Sequence, residues 1–310
     1  MMRLVLLSLF LFLGMRPVLA GQNSSIWRIY PIEHFNIYYQ PEDSLNARKV
    51  GRILQSEYPS ISHDLQVSLA SPVGLFIAPS YQSFLRLTGG AIPHWGEAVA
   101  DPIKQIIVLK SPRWSVSTAN LKTIVIHETV HVLLGQIVGS ARIPRWLNEG
   151  LAVYFSGETG YFGGKQISRA QLTKQLIPLE TIDAVLSFEQ NKAQLAYQEA
   201  YYAVVYMVEQ YGESAIPELL RALRKYKNFH VAFQRTFGES LYQFEQEWRY
   251  YLKKKYRWSI FMEFESLLWV LIFVLFVLVF VILLYKNRKT VARWDAEDAL
   301  PPPSDPGKLS

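Results

Sequence analysis

Two histidines and two glutamates stand at spacings that suit metal chemistry. The run His-Glu-Thr-Val-His spans His127 to His131, and Glu149 follows within Asn-Glu-Gly-Leu-Ala. On a helix, positions i and i+4 share one face, so His127 and His131 present two imidazoles to the same point. Glu128 is rotated by about 100° from His127, which lets its carboxylate reach a water on a bound ion as a general base. Taken alone, the run also fits two packed histidines on a core helix.

A third ligand favours the metal site. A catalytic zinc site takes three protein ligands and keeps one position open. Glu149 lies on a separate predicted helix, and the short stretch from Gln136 to Pro144 lets the two helices pack as neighbours. The chain has no cysteine, so nitrogen and oxygen must hold any metal, and this donor set suits zinc. The sequence therefore predicts one Zn²⁺ ion bound by His127, His131 and Glu149.

The elements that must position these side chains change in character along the chain. Strand patterns occupy 34–39, 73–78 and 98–110, the last broken at Asp101-Pro102. Helical spacing predicts helices at 44–58, 117–135, 145–155, 193–211, 213–226, 228–237 and 240–256. Gly135 is expected to cap the second helix. This order predicts an α+β fold, in which an N-terminal mixed β-sheet with helices precedes a helical C-terminal part.

Two apolar runs at the ends of the chain predict its relation to a membrane. Residues 1–20 combine Arg3, a largely apolar stretch of ten residues and a small-residue cut site after Ala20. This pattern predicts a signal peptide, with an uncleaved anchor as the alternative. The uncharged run at 267–285 has 19 residues. At about 1.5 Å per residue it matches a bilayer core. It predicts one C-terminal transmembrane helix at 266–285.

The signal and the span together predict the topology. Residues 21–258 are expected to form an extracytoplasmic domain, and the polar, Pro-rich 286–310 a short, disordered cytoplasmic tail. The basic run at 286–289 fits the positive-inside rule, whereas the basic run at 253–257 argues against it. We interpret the latter as a solvated helix face, with attraction to anionic lipid as the alternative. The net charge of +6 is spread out, so we expect no nucleic-acid binding.

His-Glu-x-x-His followed by Asn-Glu-Gly-x-Ala resembles the gluzincin zinc metallopeptidases, and more closely the peptidase MA-like domains, over about His34 to Tyr251. The resemblance implies a small thermolysin-like catalytic domain and a peptide or protein substrate. It also implies the same zinc ligands, with Glu128 as the general base. The run that starts at Tyr197 is similar to the helix that carries an oxyanion-stabilising tyrosine in aminopeptidase-type gluzincins. That role falls on Tyr197, with Tyr201 as the alternative, unless both are ordinary core aromatics.

The chain departs from the family pattern at three points. One residue fewer separates His131 from Glu149 than is common in the aminopeptidase branch. The signature that binds a free amino terminus there has only a faint echo at Gly96-Glu97-Ala98, so exopeptidase activity is not carried over. Val153 stands where some members have an aspartate that supports a ligand. We interpret His230 as structural and expect His94 to line the cleft.

Two functions remain open from the sequence. The first is a membrane-anchored zinc metallopeptidase that acts outside the cytoplasm, with the strand near 98–110 pairing with an extended peptide. The second is a non-catalytic peptidase-like module that binds a protein near the membrane. Nothing structural requires Glu128, so its presence beside all three ligands favours the enzyme.

Overall fold

The computed structural model describes residues 26–90, 96–115, 120–158, 165–173, 175–187, 190–255 and 259–298. The strands are β1 (Arg28–Ile32), β2 (Phe35–Tyr39), β3 (Val73–Ala78), β4 (Ala98–Asp101) and β5 (Ile106–Lys110). The helices are α1 (Ser44–Asp64), α2 (Tyr81–Thr88), α3 (Leu121–Val138), α4 (Arg145–Ser156), α5 (Lys165–Leu172), α6 (Gln190–Tyr211), α7 (Ala215–Tyr226), α8 (Phe229–Phe237), α9 (Leu241–Lys255) and α10 (Ser259–Asp298). Short 3-10 helices lie at Pro41–Asp43 and Leu179–Ser187. The predicted α+β order is confirmed, and the signal peptide predicted at 1–20 lies outside the described residues.

The strands form one mixed sheet in the order β1-β2-β3-β5-β4. The three inner strands are parallel, and β1 and β4 pair antiparallel at the two edges. The break predicted at Asp101-Pro102 separates β4 from β5, and the Asp101 carboxylate accepts hydrogen bonds from the backbone N–H groups of Ile103 and Lys104. The sequence missed β1, which contains Pro31, because proline is tolerated only on edge strands and weakens the strand pattern.

Helices cover both faces of the sheet. On one face α1 and α3 pack over the apolar side chains of Phe35, Leu75 and Ile107, which are almost fully buried. On the other face α2, which the sequence missed, places Phe84 against Val108. Burial on both faces accounts for the continuous apolar composition of the central strands.

The helical half is built around α4, which packs between α3 and α6. A Cβ at Gly150 would lie 2.5 Å from the Ala200 carbonyl oxygen, so glycine allows the backbones of α4 and α6 to approach closely. Helices α7 to α9 complete this half around buried aromatic residues, among them Trp146, Phe244 and Trp248. Close helix packing fixes α4 relative to its neighbours, which matters because α4 carries Glu149.

The end of α3 differs from the prediction. The helix continues past Gly135 to Val138, and Gly139 follows it with a φ of 59°. A Cβ at Gly135 would collide with the ring of Pro102 in the β4–β5 turn. Gly135 is therefore required for the contact between α3 and the sheet edge, and it does not end the helix.

Among the described residues, two helices are long and apolar enough to cross a membrane, and they differ in burial. Half of α3 is buried in the core, whereas the stretch Leu268–Val291 of α10 is unburied and suits a single membrane span. Helix α10 continues to Asp298, so residues 286–298 are helical where we expected a disordered tail. The segment contains several lysine, arginine and alanine residues, which are good helix formers. Residues 299–310 lie outside the described residues.

Candidate metal centre

Helices α3 and α4 bring together the three predicted metal ligands. His127 and His131 lie one turn apart on α3, with ring centroids 4.8 Å apart and planes 80° to each other. From α4, the Oε2 atom of Glu149 lies 3.5 Å from His127 Nε2 and 3.7 Å from His131 Nε2. These side chains are between 9% and 17% exposed, so the cluster opens narrowly to solvent.

The spacing of the cluster fits a tetrahedral metal ion. Zinc binds nitrogen and oxygen at about 2.0–2.1 Å, so two tetrahedral ligands lie about 3.4 Å apart. One ligand atom from each of His127, His131 and Glu149 lies within 4.8 Å of the others, and two of the contacts are close to the tetrahedral value. Across the described parts of the chain, this is the one group of three such side chains with ligand spacing. The donor atoms and their separations therefore fit a metal site.

The electrostatics of the cluster favour a cation between the imidazoles and the carboxylate. Burial alone would raise the pKa of Glu149, but His127, His131 and Arg145 together hold it below its usual value. Burial likewise opposes a charge on His127, yet the nearby carboxylates of Glu149, Glu158 and Glu128 raise its pKa to about 10. Both pKa shifts have one cause: an ionised carboxylate stabilises the positive charge beside it. A bound metal ion would be stabilised in the same way.

Helix α4 is anchored at its N-terminus, one turn before Glu149. Pro144 offers no side-chain cap there. Instead, the Asp183 carboxylate, on the 3-10 helix Leu179–Ser187, accepts a hydrogen bond of 2.7 Å from the backbone N–H of Arg145. The Arg145 guanidinium in turn lies 3.3 Å from Glu149 Oε1, opposite the oxygen that faces the histidines. Asp183 thus caps the helix that carries the third ligand.

Each histidine also has a neighbour on its second ring nitrogen. His131 Nδ1 lies 3.2 Å from the side-chain oxygen of Asn148, the residue before Glu149. His127 Nδ1 is buried and lies 3.5 Å from Glu158 Oε2, without a well-aligned hydrogen bond. The sequence named no such supporting group. For Asn148 a signal existed, because it adjoins the third ligand and therefore follows it to the cluster.

Glu128 reaches toward the edge of the sheet. Its carboxyl group lies close enough to the backbone N–H of Ala100 in β4 for that N–H to lower its pKa. Burial raises the pKa of Glu128, against the lowering effect of the two histidines. A carboxyl group with a raised pKa beside a metal site can both accept and return a proton.

The two tyrosines proposed for the oxyanion have different surroundings. Burial raises the pKa of Tyr197, and the carboxylates of Glu149, Glu128 and Glu158 contribute, so its phenol lies within electrostatic reach of the cluster. Burial also raises the pKa of Tyr201, but its next neighbours are Tyr202 and Tyr154. The electrostatic surroundings therefore associate Tyr197, rather than Tyr201, with the carboxylates of the cluster.

The other residues noted in the sequence have partners outside the cluster or lie outside the described residues. His230 Nε2 lies 3.3 Å from the Glu180 carboxylate, and both side chains are 65% exposed. Glu97 accepts a hydrogen bond of 2.7 Å from the Ser115 hydroxyl. His94 falls outside the described residues. We find no part for His230 in the chemistry of the cluster.

The comparison with known families agrees with the geometry. The family model of the peptidase MA superfamily matches residues 57–254, well over half of the chain. The match contains the ligand cluster, Glu128 and Tyr197, and it stops before α10. No curated protein matches the chain. The match and the cluster of two histidines and one glutamate, which is consistent with a gluzincin zinc site, show that the chain belongs to the peptidase MA superfamily of metallopeptidases.

Proposed function

We propose that the protein is a membrane-anchored zinc peptidase that hydrolyses peptide bonds outside the cytoplasm. The observation that carries this proposal is the approach of His127 Nε2, His131 Nε2 and the Glu149 carboxylate, with Glu128 beside them. In the proposal the first three residues hold one Zn²⁺ ion, and Glu128 is the general base. A metal held by three protein ligands keeps a fourth position for water or substrate.

The chain's own groups then move the protons of the reaction. When bound, zinc supplies a Lewis acid that polarises the scissile carbonyl and makes water nucleophilic near neutral pH. A carboxylate oxygen of Glu128 accepts one proton from the water while the water oxygen bonds to the scissile carbonyl carbon. Glu128 returns that proton to the peptide nitrogen as the carbon–nitrogen bond breaks. The Tyr197 phenol, kept protonated by its raised pKa, donates a hydrogen bond to the developing oxyanion.

The substrate is an extended peptide that pairs with β4. This strand forms one edge of the sheet, and edge strands can pair with an added peptide. The contact between Ala100 and Glu128 joins this edge to the general base. A peptide added to β4 would therefore pass beside the ligand cluster. The exposed backbone of the strand, rather than side-chain pockets, supplies most of its binding.

The orientation in the membrane follows from the two apolar runs. Within the unburied stretch Leu268–Val291, the uncharged residues up to Tyr285 suit a single span. The signal peptide at 1–20 exports the domain at 21–258, and the segment from Lys286 stays in the cytoplasm. The chain has no cysteine, so Lys253→Cys and Lys289→Cys variants each carry one thiol. In intact cells, a membrane-impermeant maleimide should label the first and spare the second. The opposite pattern contradicts the orientation.

The enzymatic proposal is tested on the purified full-length chain in detergent. Elemental analysis should find one zinc per chain, and a mixed peptide library should be cleaved. Glu128→Gln should retain zinc and lower kcat by about 10²–10⁴-fold, the usual contribution of a general base. Glu180→Gln, at the exposed pair with His230, is the matched control and should behave as wild type. Zinc binding without Glu128-dependent cleavage would instead favour a non-catalytic binding module.

A further inference from the structure

The two histidines of the cluster differ in how their second ring nitrogens are supported. The Nδ1 atom of His131 has the Asn148 side-chain oxygen at 3.2 Å, on the helix that also carries Glu149. The Nδ1 atom of His127 is buried and lacks a well-formed hydrogen bond. A buried ring N–H without an acceptor is costly, so a nearby acceptor is expected.

Helix α4 cannot supply that acceptor. Val153, one turn after Glu149, is 1% exposed and belongs to the apolar packing of the helix. A carboxylate from beyond the helix lies close to this nitrogen. It is Glu158, whose Oε2 lies 3.5 Å from His127 Nδ1.

The end of α4 explains how Glu158 reaches α3. Gly157 follows the helix with a φ of 68°, in the left-handed region that favours glycine. A Cβ at Gly157 would meet nothing within 4 Å, so the glycine is needed for its backbone conformation and not for space. The turn directs the next residue back toward the cluster, where the Glu158 side chain is 27% exposed.

We propose that Glu158 is the positioning residue of His127, and that it replaces a carboxylate the helix does not carry. Its carboxylate accepts a hydrogen bond from the Nδ1–H group of His127. This bond fixes the tautomer in which the Nε2 lone pair is directed at the metal position. It is not a fourth ligand, because Nε2 of the same ring faces Glu149 while Nδ1 faces Glu158. The inference rests on the proposed zinc site and adds a residue to it.

The test measures zinc affinity rather than turnover. Full-length wild type, Glu158→Ala, Glu158→Gln and the control Glu180→Gln are titrated with Zn²⁺ against a competing chelator. Glu158→Ala should weaken the affinity about 10- to 100-fold, the range for loss of a group that orients a ligand. Glu158→Gln should lose less zinc affinity, because its amide oxygen can still accept a hydrogen bond from Nδ1–H. The control should match wild type.

The outcomes separate this inference from the function on which it rests. The denaturation midpoint of each metal-free variant should equal that of wild type, which excludes a general loss of fold. If wild type binds zinc and Glu158→Ala binds it equally well within twofold, Glu158 has no positioning role and the zinc site stands. If Ala and Gln lose affinity equally, a carbonyl acceptor is insufficient and the tautomer argument is overturned. If wild type binds no zinc, both the site and this inference fail.

Discussion

Glu149 and Glu199 are buried carboxylates on two helices that pack together, and their surroundings differ. Glu149 lies between 3.3 and 3.7 Å from Arg145, His127 and His131. Both oxygens of Glu199 instead accept hydrogen bonds, of 3.1 and 3.0 Å, from the single backbone N–H of Ile177. Both residues are buried, Glu199 completely and Glu149 almost completely.

The difference shows that the neighbouring charged and hydrogen-bonding groups, and not burial, set the charge of the two carboxylates. Burial raises the pKa of Glu199 to about 8, and the Ile177 N–H and Arg249 offset only part of this effect. The same burial acts on Glu149, but the histidines and Arg145 hold its pKa below the usual value. At neutral pH Glu149 is a charged group suited to a metal, whereas Glu199 favours its neutral form and links α6 to Ile177.

The largest effect is expected when the carboxylates of Glu149 and Glu199 are neutralised one at a time. Glu149→Gln removes one of the three proposed metal ligands, so we expect zinc affinity and kcat/KM to fall by about 10³-fold or more. Glu199→Gln keeps a neutral group where the carboxyl is already largely neutral, so zinc affinity and kcat/KM should stay within about threefold. Chelator competition and peptide cleavage measure both. Equal losses in the two variants would mean that Glu199 belongs to the metal centre.

Two tyrosines of α6 also differ in their surroundings, and we expect them to differ in their effect on kcat. Tyr197 lies near the site carboxylates, whereas Tyr201 lies near Tyr202 and Tyr154. Tyr197→Phe should lower kcat about 10²-fold with little change in KM, because one donor to the oxyanion is lost. Tyr201→Phe is the matched control and should keep kcat within about threefold. Steady-state kinetics decides, and a larger loss in Tyr201→Phe would reverse the assignment.

The pH dependence of stability tests the neutral state of Glu199. Its pKa rises from 4.5 in the unfolded reference to about 8 in the fold, so the folded state binds the extra proton between these values. The stability from this group is therefore fully present below pH 4.5 and is lost as the pH rises toward 8. Each pKa unit corresponds to about 1.4 kcal/mol, so we expect a loss on the order of 5 kcal/mol over this rise.

The measurement is the denaturation midpoint of wild type and Glu199→Gln between pH 5 and 8.5. The variant cannot ionise at this position, so its stability relative to wild type should improve steadily across that range. Taking the difference between the two proteins cancels the other titrating groups. A difference that stays constant with pH would show that Glu199 is already ionised at low pH.

The sequence predicted those parts of the site that are encoded locally. Spacing on one helix brings His127 to His131, and a short connection brings Glu149 to them. Supports that depend on tertiary placement were missed. Glu158 reaches His127 only because of the turn at Gly157, and nothing near position 183 in the sequence indicates that Asp183 caps α4. These contacts depend on how elements pack, which no local spacing records.

The same distinction explains the errors in the fold. Gly135 has the residue type of a helix cap, and only the position of Pro102 shows that it serves a packing contact. Strand β1 was missed because it contains Pro31, and its place at the sheet edge became visible only with its pairing to β2. The central strands and the long helices were predicted because their apolar patterns reflect burial directly.

Asp183 provides the mildest test, since it is a carboxylate with good partners and little burial. It accepts the Arg145 N–H at 2.7 Å and lies 3.2 Å from Arg142, but its side chain is 35% exposed. Asp183→Ala should cost about 1 kcal/mol, the usual effect of losing a helix cap. Asp183→Asn keeps the acceptor and should cost less. The loss should not vary between pH 6 and 8, unlike that of Glu199, and denaturant unfolding measures both. A loss as large as 3 kcal/mol would mean that exposed capping, and not the buried carboxylates, dominates the stability of α4.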